Sequence, residues 1–148
     1  MSNLNIAAGE KFALVGTIDP ATVANTETFT DVVDMSKFHQ VLATALLGNM
    51  AAETITFKAY SCNSDGSSSV ELKAATQLAA HASNNDNTQI VISVRAEDLQ
   101  ASGKQYVRFG LVTGGATGGT CAVTVHATDA RYTPASDNDL ASVQQVKL

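Results

Sequence analysis

The feature that most constrains this chain is a two-residue period that recurs in short segments. It is cleanest in Glu53 to Tyr60 (ETITFKAY), where Ile55, Phe57 and Ala59 alternate with Thr54, Thr56, Lys58 and Tyr60. Successive side chains of a strand point to opposite faces, so such a segment is a half-buried strand. The same period runs through Gln89 to Arg95, with Ile90, Ile92 and Val94 on one face. It also runs through Tyr106 to Thr113 (Val107, Phe109, Leu111) and Cys121 to Thr128 (Val123, Val125). Lys11 to Gly16, Thr26 to Asp34 and Val70 to Lys73, the last with Thr76 to His81 as a candidate extension, complete the set.

Phe38 to Leu47 (FHQVLATALL) carries apolar residues on both strand faces. Val41, Ala43, Ala45 and Leu47 lie on one, and Leu42 and Leu46 on the other. That pattern fits a central strand covered on both sides; a short helix competes, because Ala and Leu are good helix formers. With Gly48-Asn49 between them, 38–47 and 53–60 read as a hairpin. Asp19-Pro20, Met35 to Lys37, Ser61 to Ser69, Ser83 to Asn87, Ser102-Gly103 and Gly114 to Gly119 are turn or loop signals, and Ala96 to Leu99 is one helical turn.

About eight strands with no alternating amphipathic helices predict an all-β fold, an antiparallel β-sandwich or a jelly-roll-like barrel. Residues 1–10 read as an N-terminal arm, 11–133 as the sandwich, and 134–148 as a C-terminal tail, which is either a short helix capped at Ser136 or an extended arm. The 148 residues suit one domain, and a chain of this size needs no disulfide or metal to fold. Charged residues make up 16% of the chain, against the usual ~25%; Thr, Ser, Ala and Val take their place, as in many sandwiches and virion proteins.

Net charge is −5, and the nine Lys and Arg residues are scattered. Neutralising phosphates takes clustered cations, so no direct nucleic-acid partner is expected. The first residues (MSNLN) lack a basic and an apolar region, and no apolar run approaches the ~20 residues of a membrane span. The expectation is a chain made in a cytoplasm, with no membrane partner.

The chemistry-bearing residues are dispersed. Cys62 and Cys121 read as two reduced, partly buried thiols, paired only if strands bring them together. His39, His81 and His126 have no second ligand at chelating spacing. There is no Gly-x-Ser-x-Gly, and the glycines of 114–119 lack the Lys-Ser/Thr ending of a phosphate loop. Asp65-Gly66 and Asn84 to Asn87 lack the spacing of a calcium loop, Asp31 and Asp34 read as structural, and Asp137 to Asp139 as a solvated tail or helix cap. No catalytic residue, metal or cofactor is expected.

Four stretches in order along the chain carry a resemblance: VVDMSKFHQVLATALLG (32–48), TITFKAY (54–60), IVISVRAEDL (90–99) and DARYTPASDNDLASV (129–143). Together they resemble small virion proteins of tailed bacteriophages, of the capsid decoration or cement kind. The resemblance implies a structural protein of the capsid surface, made in the bacterial host. Its partners would be the major capsid protein and further copies of itself, commonly as a trimer. On that reading the chain ends serve as contact arms, which need apolar anchors to offset the entropy of ordering. Leu4 and Ile6 could anchor the first arm, and Leu140, Val143, Val146 and Leu148 the second. Other phage parts, a head–tail connector or a tail component, use similar sandwiches. A carbohydrate-binding module or adhesin would need an aromatic platform, for which the chain offers Tyr60, Tyr106 and Tyr132 but no Trp.

Overall fold

The computed structural model describes residues 7–50, 53–75, 86–132, 135 and 143. Among these residues nine strands form two antiparallel sheets: β1 (Ala13–Val23), β2 (Thr26–Phe29), β3 (Val33–Asp34), β4 (Phe38–Leu47), β5 (Thr54–Cys62), β6 (Val70–Ala74), β7 (Gln89–Arg95), β8 (Tyr106–Gly114) and β9 (Gly119–Ala130). One turn of helix, α1 (Ala8–Lys11), precedes β1, and a 3₁₀ segment, Ala96–Ser102, joins β7 to β8. The first sheet runs β1-β9-β4-β7, the second β2-β8-β5-β6, with β3 also on β8. The expected all-β sandwich is therefore the fold, with β2 and β3 where one strand was expected.

The inward side chains follow the alternation. Ile55, Phe57, Ala59, Val107, Phe109 and Leu111 of the second sheet meet Val41, Ala43, Ala45, Val94, Val123 and Val125 of the first, all buried. Phe57 and Phe109 stack with ring centroids 5.9 Å apart, at the spacing aromatic pairs prefer. The Gly103 C-cap sits at φ +65°, which ends the 3₁₀ segment and turns the chain into β8.

Four expectations are corrected. First, β4 and β5 are not a hairpin. β4 pairs with β7 and β9, β5 with β6 and β8, so the chain changes sheet at Gly48 to Glu53. Gly48 is held by the Thr120 carbonyl (2.8 Å), which carries the backbone away from a tight return.

Second, β4 is central in its sheet but covered on one side only. Leu42 and Leu46 are 39% and 40% exposed. Third, Asp19-Pro20 does not end β1, which continues to Val23 with a register shift between Ile18 and Ala21. β1 is an edge strand, where a proline costs no ladder hydrogen bond. Fourth, Thr26 to Asp34 is interrupted at Thr30. The Thr30 hydroxyl accepts the Phe109 N–H (3.0 Å) in place of a backbone carbonyl, and the ladder breaks there.

At the termini, α1 straddles the expected boundary between arm and sandwich. The Ala135 N–H donates to the Glu10 carbonyl (2.8 Å), and Ala135 is buried, so the start of the tail packs beside α1. Residues 76–85, with the expected extension to His81, lie outside the described residues.

Candidate functional site

The residues singled out for chemistry occupy separate places. Cys62 pairs with Tyr106 at the start of β8, and Cys121 follows its end. A nine-residue strand separates them by roughly 25 Å, far beyond the ~7 Å limit between Cα atoms for a disulfide. Both are free and buried, and burial pushes both thiols up from their ordinary pKa.

His39 is exposed at the start of β4, in a shallow depression with Arg95, Glu97, Gln100 and Arg131. His126 faces outward from β9, opposite Leu42, as the alternation placed it. His81 lies outside the described residues. Among the described residues, no three His, Cys, Asp or Glu side chains come together as a metal site would need.

The acidic candidates serve turns. Asp31 Oδ2 accepts the Thr17 N–H (3.4 Å), tying the β2–β3 link to β1. Asp34 accepts the Ser36 N–H (2.9 Å) and the Gln105 side-chain amide (2.8 Å). Burial alone would raise its pKa, but these bonds outweigh it and hold the carboxyl below its ordinary value. Asp65 accepts the Ser67 N–H (2.9 Å), closing a turn in which Gly66 takes φ +79°. Asp86 accepts the Met50 N–H (2.7 Å), and Asn87 sits at φ +55°, the left-handed conformation expected of Asn. Asp137 to Asp139 lie outside the described residues.

The glycine loop has a partner that inspection of the chain missed. Glu53 is 1% exposed, and its Oε1 accepts the N–H groups of Thr117 (3.0 Å) and Gly118 (2.7 Å). A Cβ on Gly115 would fall 2.6 Å from both Glu53 carboxylate oxygens. The glycines let this backbone close over a buried carboxylate, and the only forewarning was their density.

Two surfaces remain, the outer sides of the sheets. On the second sheet, Gly110 leaves a gap that Phe29, Tyr60 and Glu27 fill. Tyr60 donates to Glu27 (2.6 Å), the Arg108 guanidinium lies 3.9 Å over the Phe29 ring, and Lys58 pairs with Glu71 (3.0 Å). Burial and the Glu27 carboxylate push the Tyr60 phenol far up.

The first sheet differs. β4 presents Gln40, Leu42, Thr44 and Leu46; β7 presents Gln89, Val91, Ser93 and Arg95; β9 presents Ala122, Thr124, His126 and Thr128. Val91 is 57% exposed. Of the expected arm anchors, Val143 is half-buried, and Leu4, Ile6, Leu140, Val146 and Leu148 lie outside the described residues.

No protein-family model matches the sequence, and no curated protein is similar to it in sequence. Its fold is similar to that in the crystal structure of the PBSX exported protein XepA, at TM-score 0.54 and 14% identity; the match covers 95% of this chain and 44% of that one. Weaker likenesses include a protein of broad bean stain virus (TM-score 0.48, 9% identity, 90% of this chain and 91% of that one). A second is the VP2 subviral particle of infectious bursal disease virus (TM-score 0.41, 8% identity, 85% and 32%). At such identities the likeness establishes the fold alone, and the chain spans less than half of XepA.

Proposed function

We propose that this chain is a structural protein of a virus particle and, more finely, a decoration protein on the capsid of a tailed bacteriophage. On this reading it binds the outer lattice of major capsid protein, stabilises the head, and is made in the bacterial host cytoplasm. The observation that carries the reading is the strand order. With the two-residue β3 set aside, β1-β9-β4-β7 facing β2-β8-β5-β6 is the nested order of a jelly roll, an architecture that recurs in viral capsid and lectin domains. The four stretches that resemble decoration proteins favour the capsid side of that choice.

The lectin side is poorly supported, because sugar stacking needs a free aromatic platform. Tyr60 is committed to Glu27 and Phe29 to Arg108, Tyr106 is half-buried, and neither exposed Phe12 nor Tyr132, 84% exposed, pairs with another ring among the described residues. A cement role asks for a rigid domain and contact area rather than a pocket, and the fold provides both. Cryo-electron microscopy of the intact particle tests the reading. The expected result is sandwich-shaped density on the outer capsid surface; density in the tail or connector, or none on the particle, overturns it.

A further inference from the structure

The outer side of the β1-β9-β4-β7 sheet departs from the rest of the surface, and its geometry can be read from the register. Thr44 of β4 stands opposite Val91 of β7 and Thr124 of β9. Leu42 and Leu46, two positions to either side of Thr44, complete a triangle of exposed apolar side chains with Val91. Along β9 the row continues as Ala122 and Thr124, much smaller residues, and then His126, which stands opposite Leu42. The sheet therefore has a ridge on its β4–β7 half and a trough on its β9 half.

Charge is confined to the rim. None of the twelve residues that β4, β7 and β9 present there is Asp or Glu. Arg95 is paired with Glu97 (3.3 Å), and Asp129 bonds the Gln40 amide at the edge. In a chain of net charge −5, most surfaces repel a second copy. This one does not.

We infer that this face is covered by a second copy of the same chain, packed sheet to sheet about a two-fold axis that runs along the strands between β4 and β9. A ridge beside a trough is self-complementary under this rotation: each copy's Leu46 and Thr44 face the other's Ala122 and Thr124, Leu42 faces His126, and Val91 lies over the other's β1. Sheets packed in this way lie ~10 Å apart with their side chains interdigitated. A face of four strands and seven residues covers roughly 450 Å² per copy. The pair then buries about 900 Å², below the ~1,200 Å² at which stable specific interfaces begin, so the dimer is weak and concentration-dependent. The inference does not depend on the particle reading, and a three-fold contact made by the chain ends would leave this face free to pair.

Sedimentation velocity of the full chain over a wide concentration series tests it. The mass should rise reversibly from one copy toward two. Val91→Asp, which places a charge in the contact without disturbing the core, should weaken association by roughly tenfold or more. Thr44→Cys should cross-link copies through a bis-maleimide of ~10 Å reach far faster than Thr56→Cys on the opposite sheet, a comparison that needs no loss of folding. A monomer at every concentration, a dimer that Val91→Asp does not weaken, or equal cross-linking of the two cysteine variants overturns the inference.

Discussion

The two outer faces of this sandwich are built from the same kind of strand and end in opposite states. On the β2-β8-β5-β6 sheet, the gap over Gly110 is filled, the Tyr60 hydroxyl and the Phe29 ring have partners within the chain, and Lys58 is paired. On the β1-β9-β4-β7 sheet, Leu42, Leu46 and Val91 stand in the open, 39% to 57% exposed. The first face is finished by its own chain and contributes to folding. The second contributes little to folding beyond its hydrogen bonds, so its apolar residues need another reason to be there. A surface that a fold leaves apolar is where contact is expected.

The contrast breaks most readily at Gly110. A Cβ there would lie 2.5 Å from Glu27 Oε1 and 3.0 Å from Tyr60 Cε2, so Gly110→Val must displace the cover. It should cost about 2–3 kcal/mol by urea denaturation. Ala122→Val, also outward but on the open face, should change stability by less than ~0.5 kcal/mol. Equal costs would erase the distinction between the faces.

Arg108→Ala is expected to come next. It removes the stacking on Phe29 and the bond to Ser69 (3.1 Å), worth about 1–2 kcal/mol together.

Lys73→Met should have the smallest effect and acts where the two sheets meet at their edges. Lys73 of β6 donates to the Ser93 carbonyl of β7 (2.8 Å) and to Asp98 (2.7 Å), which occupies part of the β7 edge. The pair is partly exposed, so the expected cost near neutral pH is about 0.5–1 kcal/mol. Asp98 is held below its ordinary pKa by the Arg95 N–H first and by Lys73 second. A lowered carboxylate stabilises above its unfolded pKa and loses that contribution as pH falls through the folded value. The gap between wild type and Lys73→Met should therefore narrow as pH drops below about 4. A gap that stays constant would show that the lysine acts by packing alone.

How much was legible in advance differs by region for the same physical reason. Alternation decided which side chains of 54–60, 90–94, 107–111 and 121–128 turn inward, and those assignments agree with the burial, Ile90 at the start of β7 being half-buried against the core. The turn chemistry of Asp65-Gly66 and Asn87 was equally local. Glu53 was invisible because its partners, Thr117 and Gly118, lie more than sixty residues away. The expected covering of Leu42 and Leu46 failed because an apolar pattern reports what a residue prefers, and does not report whether the chain supplies a second layer.

Strand identity, facing and fold class followed from a two-residue period and from Gly, Asn and Asp at the turns, which are short-range properties of the backbone. Pairing was another matter. The choice of β9 and β7 as neighbours of β4, in place of the adjacent β5, rests on contacts across forty or more residues, where loop-closure entropy varies only slowly with length and core packing selects the partner. That selection is what left one sheet covered by its own side chains and the other, with Leu42, Leu46 and Val91, open.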